Sequence, residues 1–142
     1  MKIVVDTNIV FSALLNADGK IGQLLFNTVF EFYTCDFLKQ ELIEHHEKLK
    51  KISKLNDMQL EIAKSLIFSK IKFINSILLE QEILISTEAI MKDIDPDDTE
   101  FIALTRQLNA KLWTGDKKMH YKLMDKGYNL TLLTDELWAF VN

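Results

Sequence analysis

The segment KIVVD, Lys2 to Asp6, limits the possible folds more tightly than any other part of the chain. Ile3, Val4 and Val5 are β-branched and apolar without alternation, the pattern of a short strand covered on both faces of a parallel sheet. A charge that is costly to bury closes this segment. Asp6 therefore either caps the helix that follows or belongs to a site that needs a fixed negative charge.

Three further segments read as strands: FEFYTC, KLWTGD and YNLTLLT. Helices are expected between them. One runs from about Asn8 to Leu15 and breaks at ADGK, and IGQLLFNTVF supports a second. FLKQELIEHHEKLKK follows with Asp36 as N-cap. Asn56 and Gln59 form a capping box that opens DMQLEIAKSLIFSKI. Residues Ile71 to Ile85 fit helix and strand equally. The clearest helix start is DIDPDDTEFIALTRQLNA, with Asp95 as N-cap, Pro96 in the first position and acids in the first turn. KKMHYKLMDKG is a last helix ended by Gly127. This alternation predicts a three-layer α/β/α sandwich around a mainly parallel sheet of four or five strands. Crossover handedness then aligns the carboxyl ends of the strands along one edge.

A chain of 142 residues fits a single domain, residues 1–142, with a sizeable core. Its 48% hydrophobic and 27% charged residues are those of an ordinary globular protein. A lone cysteine, Cys35, excludes a disulfide framework and a cysteine-based zinc site, and its apolar surroundings suit a small buried hydrophobe. No apolar run reaches the roughly 18 residues of a membrane span, and Asp6 interrupts any secretory signal, so a cytoplasmic location is expected. The net charge of −4 does not favour a polyanionic partner, yet lysines concentrate in Glu44–Lys54 and Gly115–Lys126. Such runs are solvated helix faces or phosphate-contacting surfaces.

Ligands of open α/β sheets bind beyond the carboxyl ends of the strands. Asp6 and Asp116 end two strands, Glu41 lies about a turn into the helix after FEFYTC, and Asp98 lies in the first turn of the helix before KLWTGD. Taken singly, Asp6 and Asp116 read equally as N-caps, Asp98 as a helix-dipole partner, and Glu41 as a surface carboxylate pairing with His45 at i+4. Together they form an acidic edge that stays ionised only when cations share it. With oxygen ligands alone the expected ion is hard, Mg²⁺ or Mn²⁺. His45, His46 and His120 are expected to face solvent or to make minor phosphate contacts. Trp113 is expected in the core, and Trp138 in packing or a dimer contact.

VVDTNIVFSALL, QELIEH, DPDDTEFIAL and LWTGDKKM, in this order, resemble the four motifs of the PIN domain family across nearly the whole chain. The resemblance implies an α/β/α nuclease that cleaves RNA by metal-assisted phosphodiester hydrolysis. It further implies the toxin of a toxin–antitoxin module, with an antitoxin protein as partner. Homodimerisation is common in the family, and IGQLLFNTVF offers an apolar surface for it. The family's acids fall on Asp6, Glu41, Asp98 and Asp116, and its supporting polar positions on Thr7, Asn8 and Thr114. Asp97 is adjacent to Asp98, and the motif favours Asp98 as the third acid. Many members carry another acid just beyond the TGD aspartate, where this chain has Lys117, Lys118 and Met119; an acid elsewhere would have to substitute. The rival readings are a catalytically degenerate PIN-like protein- or RNA-binding module and an aspartate-nucleophile phosphatase. The phosphatase would need a D-x-D pair, and Asn8 stands at its second position.

Overall fold

The computed structural model describes residues 1–142. Five strands form one sheet: β1 (Lys2–Val5), β2 (Glu31–Cys35), β3 (Ile71–Ile74), β4 (Lys111–Trp113) and β5 (Thr131–Leu132). Their order is β3-β2-β1-β4-β5, and every neighbouring pair is parallel. The chain winds outward from β1 through β2 to β3, then returns to the other side of β1 for β4 and β5. The switch in direction lies between β1 and β4, and a parallel sheet opens a crevice at the carboxyl ends of such strands.

Nine α-helices cover the two faces: α1 (Thr7–Leu15), α2 (Lys20–Leu25), α3 (Phe37–Glu44), α4 (His46–Ser53), α5 (Asp57–Phe68), α6 (Gln81–Met91), α7 (Thr99–Gln107), α8 (Lys117–Asp125) and α9 (Thr134–Ala139). The pleat sorts the strand residues between two cores. Ile3, Val5, Phe32, Ile71 and Trp113 pack with side chains of α1 to α5 and α9 on one face. Val4, Tyr33, Cys35 and Leu112 pack with side chains of α6, α7 and α8 on the other. Cys35 and Trp113 are buried as expected, and Trp138 packs against the first core. Every buried side-chain nitrogen and oxygen has a hydrogen-bond partner. No helix is long and apolar enough to cross a membrane.

Several elements differ from the sequence expectations for identifiable reasons. The helix expected over IGQLLFNTVF stops at Leu25, because the Asn27 side chain accepts from the Val29 N–H at 2.9 Å and turns the chain toward β2. FLKQELIEHHEKLKK is two helices, separated at His45, whose backbone leaves the helical region at φ −103°, ψ 16°. Asp36 is no cap: its own backbone is helical and its side chain accepts no capping bond. Its N–H instead donates to Ile74 O at 3.0 Å, carrying the β2–β3 ladder one step further. The ambiguous stretch resolves as strand β3, a 3₁₀ turn over Ser76–Leu78 and the start of α6. In YNLTLLT only Thr131–Leu132 pairs.

The Asn56–Gln59 capping box is present in both directions, with Gln59 N–H donating to Asn56 Oδ1 at 2.8 Å and Asn56 N–H to Gln59 Oε1 at 2.9 Å. Asn56→Ala removes a cap worth about 1 kcal/mol. The expected result in thermal unfolding is a loss of a few degrees (about 3 °C) in Tm, and an unchanged Tm would refute the contribution of this cap.

Candidate metal centre at the carboxyl edge of the sheet

Asp6 follows β1 and is buried to 5% exposure. Both its oxygens are held: Oδ1 accepts from the Ile9 N–H at 3.0 Å, capping α1, and Oδ2 accepts from the Thr114 hydroxyl at 2.9 Å. Thr114 follows β4, so this bond bridges the two strands that flank the switch point. The Thr114 oxygen also accepts from the Asp116 N–H at 3.1 Å. Asp116 in turn caps α8, its Oδ1 accepting from the Met119 N–H at 2.9 Å. Capping does not exhaust these carboxylates, since each ionised pair of oxygens offers about four acceptor directions.

Asp98 closes a 3₁₀ turn, Pro96–Asp98, that leads into α7. Asp95 precedes that turn and caps it, accepting from the Asp97 N–H at 3.2 Å. The turn closes with the Asp98 N–H donating to the Asp95 carbonyl at 3.1 Å, which holds the two residues together. One carboxylate oxygen from each of Asp95, Asp98 and Asp116 lies within 4.8 Å of the others. Asp6, Thr7, Asn8, Glu41, Asp97 and Asp98 line the adjoining cleft, a cavity of about 130 Å³. Glu41 accepts from the Thr7 hydroxyl at 2.7 Å, which overturns its alternative as a partner of His45. The His45 ring stands edge-on to Phe11 instead, with centroids 5.7 Å apart.

The electrostatics follow from burial and like charge. Burial pushes the Asp6 carboxyl up to about 6, opposed by the hydrogen bonds from Ile9 and Thr114 and reinforced by the Asp116 charge. Burial also drives Asp98 up to about 7, with the charges of Asp6, Asp95 and Asp116 and the hydrogen bond to Asp95 adding to it. No ion pair in the molecule involves Asp6, Glu41, Asp95, Asp98 or Asp116. An all-oxygen donor set, crowded and without a lysine or arginine to balance it, fits a hard divalent cation.

The sequence-predicted acids thus meet at one edge, in two groups. Asp98 and Asp116 join Asp95, while Asp6 forms the buried floor and Glu41 stands across the cleft with Thr7. Between the neighbours Asp97 and Asp98, only Asp98 enters the tight cluster. Asp95 is the residue that sequence reasoning assigned to capping alone; its spacing of three from Asp98 across a proline-started turn was the available signal. Asn8 lines the cleft with an exposed side chain, and its backbone N–H acts on Asp6. His120 does not face solvent as expected. It is buried, with Nδ1 2.6 Å from Thr131 Oγ1 and Nε2 3.4 Å from Glu136 Oε1.

The chain belongs to the PIN domain family, whose pattern matches residues 4–126. Two solved structures share its fold. One is a toxin–antitoxin complex from Klebsiella pneumoniae, with a TM-score of 0.64 and 16% identity over 93% of this chain and 97% of that one. The other is VapBC2 from Rickettsia felis bound to a DNA fragment from their promoter, with a TM-score of 0.67 and 16% identity over 94% and 98% of the two chains. No curated protein matches the chain in sequence.

The raised carboxyls predict a pH dependence for the metal-free protein. A folded-state pKa of about 7 at Asp98 means that the folded chain holds a proton which the unfolded chain has already released above about pH 4. Folding stability contributed by this group is therefore lost as pH rises from about 4 to about 7. Asp98→Asn removes that loss. In EDTA, the Tm of the variant minus that of wild type is expected to rise across this window, and millimolar Mn²⁺ to stabilise wild type more than the variant. A difference that stays flat with pH and metal would contradict the electrostatic account.

Proposed function

We propose that this PIN domain is a metal-dependent endoribonuclease and the toxin of a toxin–antitoxin pair. The observation that carries the enzymatic reading is the uncompensated cluster of carboxylates at the switch point of the sheet. A binding module needs no such arrangement, because like charges crowded in a half-buried cleft oppose folding unless a cation or proton joins them. Membership of the PIN family supports nuclease chemistry. The toxin reading, and an antitoxin protein as partner, draw support from the toxin–antitoxin complexes that share the fold. RNA as substrate rests on the family resemblance.

Asp6, Glu41, Asp98 and Asp116, with Asp95 completing the tight cluster of Asp98 and Asp116, would hold Mg²⁺ or Mn²⁺. When bound, such an ion lowers the pKa of water toward neutrality and offsets negative charge on the phosphoryl group. The protein's own part is orientation and proton transfer. Ile9 N–H and the Thr114 hydroxyl fix the Asp6 carboxylate in one plane, and Met119 N–H does the same for Asp116. Thr7 holds one oxygen of Glu41, and the other is free to accept a proton from the attacking water. Asn8, exposed on the cleft wall, offers an amide to a phosphate oxygen.

The test is cleavage of labelled RNA and DNA oligonucleotides by wild type, Asp6→Asn and Thr114→Val, with Mn²⁺, with Mg²⁺ and with EDTA. RNA cutting is expected with either metal, none in EDTA, and background levels in Asp6→Asn. Thr114→Val keeps the side-chain shape while removing the bond that orients Asp6, so a loss of about 10- to 100-fold is expected. Cutting that survives in both Asp6→Asn and EDTA would overturn the assignment.

A further inference from the structure

A second cavity, of about 460 Å³, opens beside the acidic cleft, with Thr114, Gly115, Lys117 and Tyr121 along one wall and Asp135 and Glu136 along the other. Thr114 links the two: its hydroxyl bonds to Asp6, which lines the acidic cleft, and to the Asp116 N–H, and the residue lines this cavity. The cavity therefore begins one residue away from the acids. Lys117 and Tyr121 are four apart on α8 and so face the same way.

Tyr121 is 57% exposed, unusual for an aromatic side chain beside a polar cleft. It is not loose. Its ring stands nearly perpendicular to the buried His120 ring, with centroids 5.0 Å apart and an angle of 72°. His120 is itself anchored to Thr131 and Glu136. The Tyr121 hydroxyl has no partner within the chain, and Lys117 and Lys118 form no ion pairs. On the opposite wall both acids are engaged, Asp135 with Lys20 at 3.3 Å and Glu136 with His120 and the Leu133 N–H. These carboxylates repel a phosphate, which confines any phosphate to the Lys117 side and leaves the interior to a neutral, planar group.

We propose that this cavity is a nucleotide subsite for a single-stranded substrate, in which an unpaired base stacks on Tyr121 and the adjoining phosphate meets Lys117. The inference rests on the nuclease reading for its connection to cleavage, and it specifies the substrate as an unpaired strand. A base can lie against an aromatic side chain only when it has left a duplex stack. Stacking of this kind contributes about 1–3 kcal/mol per base and tolerates any base, because each has a π-face. Lys117 and Lys118 add the backbone attraction that a site rich in carboxylates otherwise lacks.

The test compares wild type, Tyr121→Ala, Tyr121→Phe and Lys117→Ala on single-stranded and duplex RNA. Cleavage is followed with Mn²⁺, and binding by fluorescence anisotropy with Ca²⁺ in its place. Tyr121→Ala is expected to weaken single-strand binding and raise KM about 5- to 150-fold with kcat little changed. Tyr121→Phe keeps the ring and is expected to match wild type. Lys117→Ala is expected to lower affinity and flatten its salt dependence. Substrates with one abasic site walked along the strand should locate a position at which Tyr121→Ala costs nothing further. Cleavage with KM and affinity unchanged in Tyr121→Ala would overturn the subsite and leave the nuclease reading intact. Weakened binding in Tyr121→Ala without any cleavage would support the subsite and overturn the nuclease reading. Equal affinity of wild type for single strand and duplex, or no binding of either, would overturn the subsite.

Discussion

The hydrogen bond from Thr114 to Asp6 joins the two halves of this molecule where its sheet changes direction. β1 and β4 are neighbours in space but lie more than a hundred residues apart in sequence, and their carboxyl ends diverge into α1 and α8. A charged side chain at the end of a central strand would be expelled or neutralised unless fixed donors met it. Ile9 and Thr114 supply them at 3.0 and 2.9 Å. The site is thus an outcome of topology: only a reversal of winding beside β1 leaves room for Asp6 and Asp116 to approach across an open crevice.

Capping and ligation are compatible roles for these acids. Asp6 caps α1, Asp116 caps α8 and Asp95 caps the 3₁₀ turn before α7. Each cap takes one acceptor direction and locks the carboxylate's orientation, which is what a preorganised ligand requires. The cost is visible in the elevated proton affinity of Asp6 and Asp98. Natural sequences tolerate such local conflict chiefly where function demands it.

Much of the fold could be read from local patterns. The KIVV strand and the Asn56–Gln59 box depend on residues close in sequence, and they formed as expected, whereas the Asp95–Pro96 start opens a 3₁₀ turn and α7 itself begins only at Thr99. The misreadings came from elsewhere in the chain. Asp36 lost its capping role to a backbone bond with Ile74, and His120 was buried by Thr131 and Glu136, partners more than ten residues distant. At the site, the motifs pointed to the acids that the structure gathers at one edge, but Asp95 went unnoticed as a member because its capping function accounted for it fully. The turn over Pro96–Asp98 is closed by the Asp98 N–H on the Asp95 carbonyl at 3.1 Å. Recognising that turn would have placed Asp95 beside Asp98.

Asp95 also bears on the lysines of α8. Directly beyond Asp116 the chain carries Lys117, Lys118 and Met119. Of these, Met119 turns inward to the core while both lysines remain exposed. A third carboxylate from the other side of the crevice, Asp95, completes the cluster with Asp98 and Asp116. The first turn of α8 carries positive charge facing outward. A cleft that must accept a polyanion next to its own carboxylates gains from these lysines, whose charge faces outward from the helix that Asp116 caps.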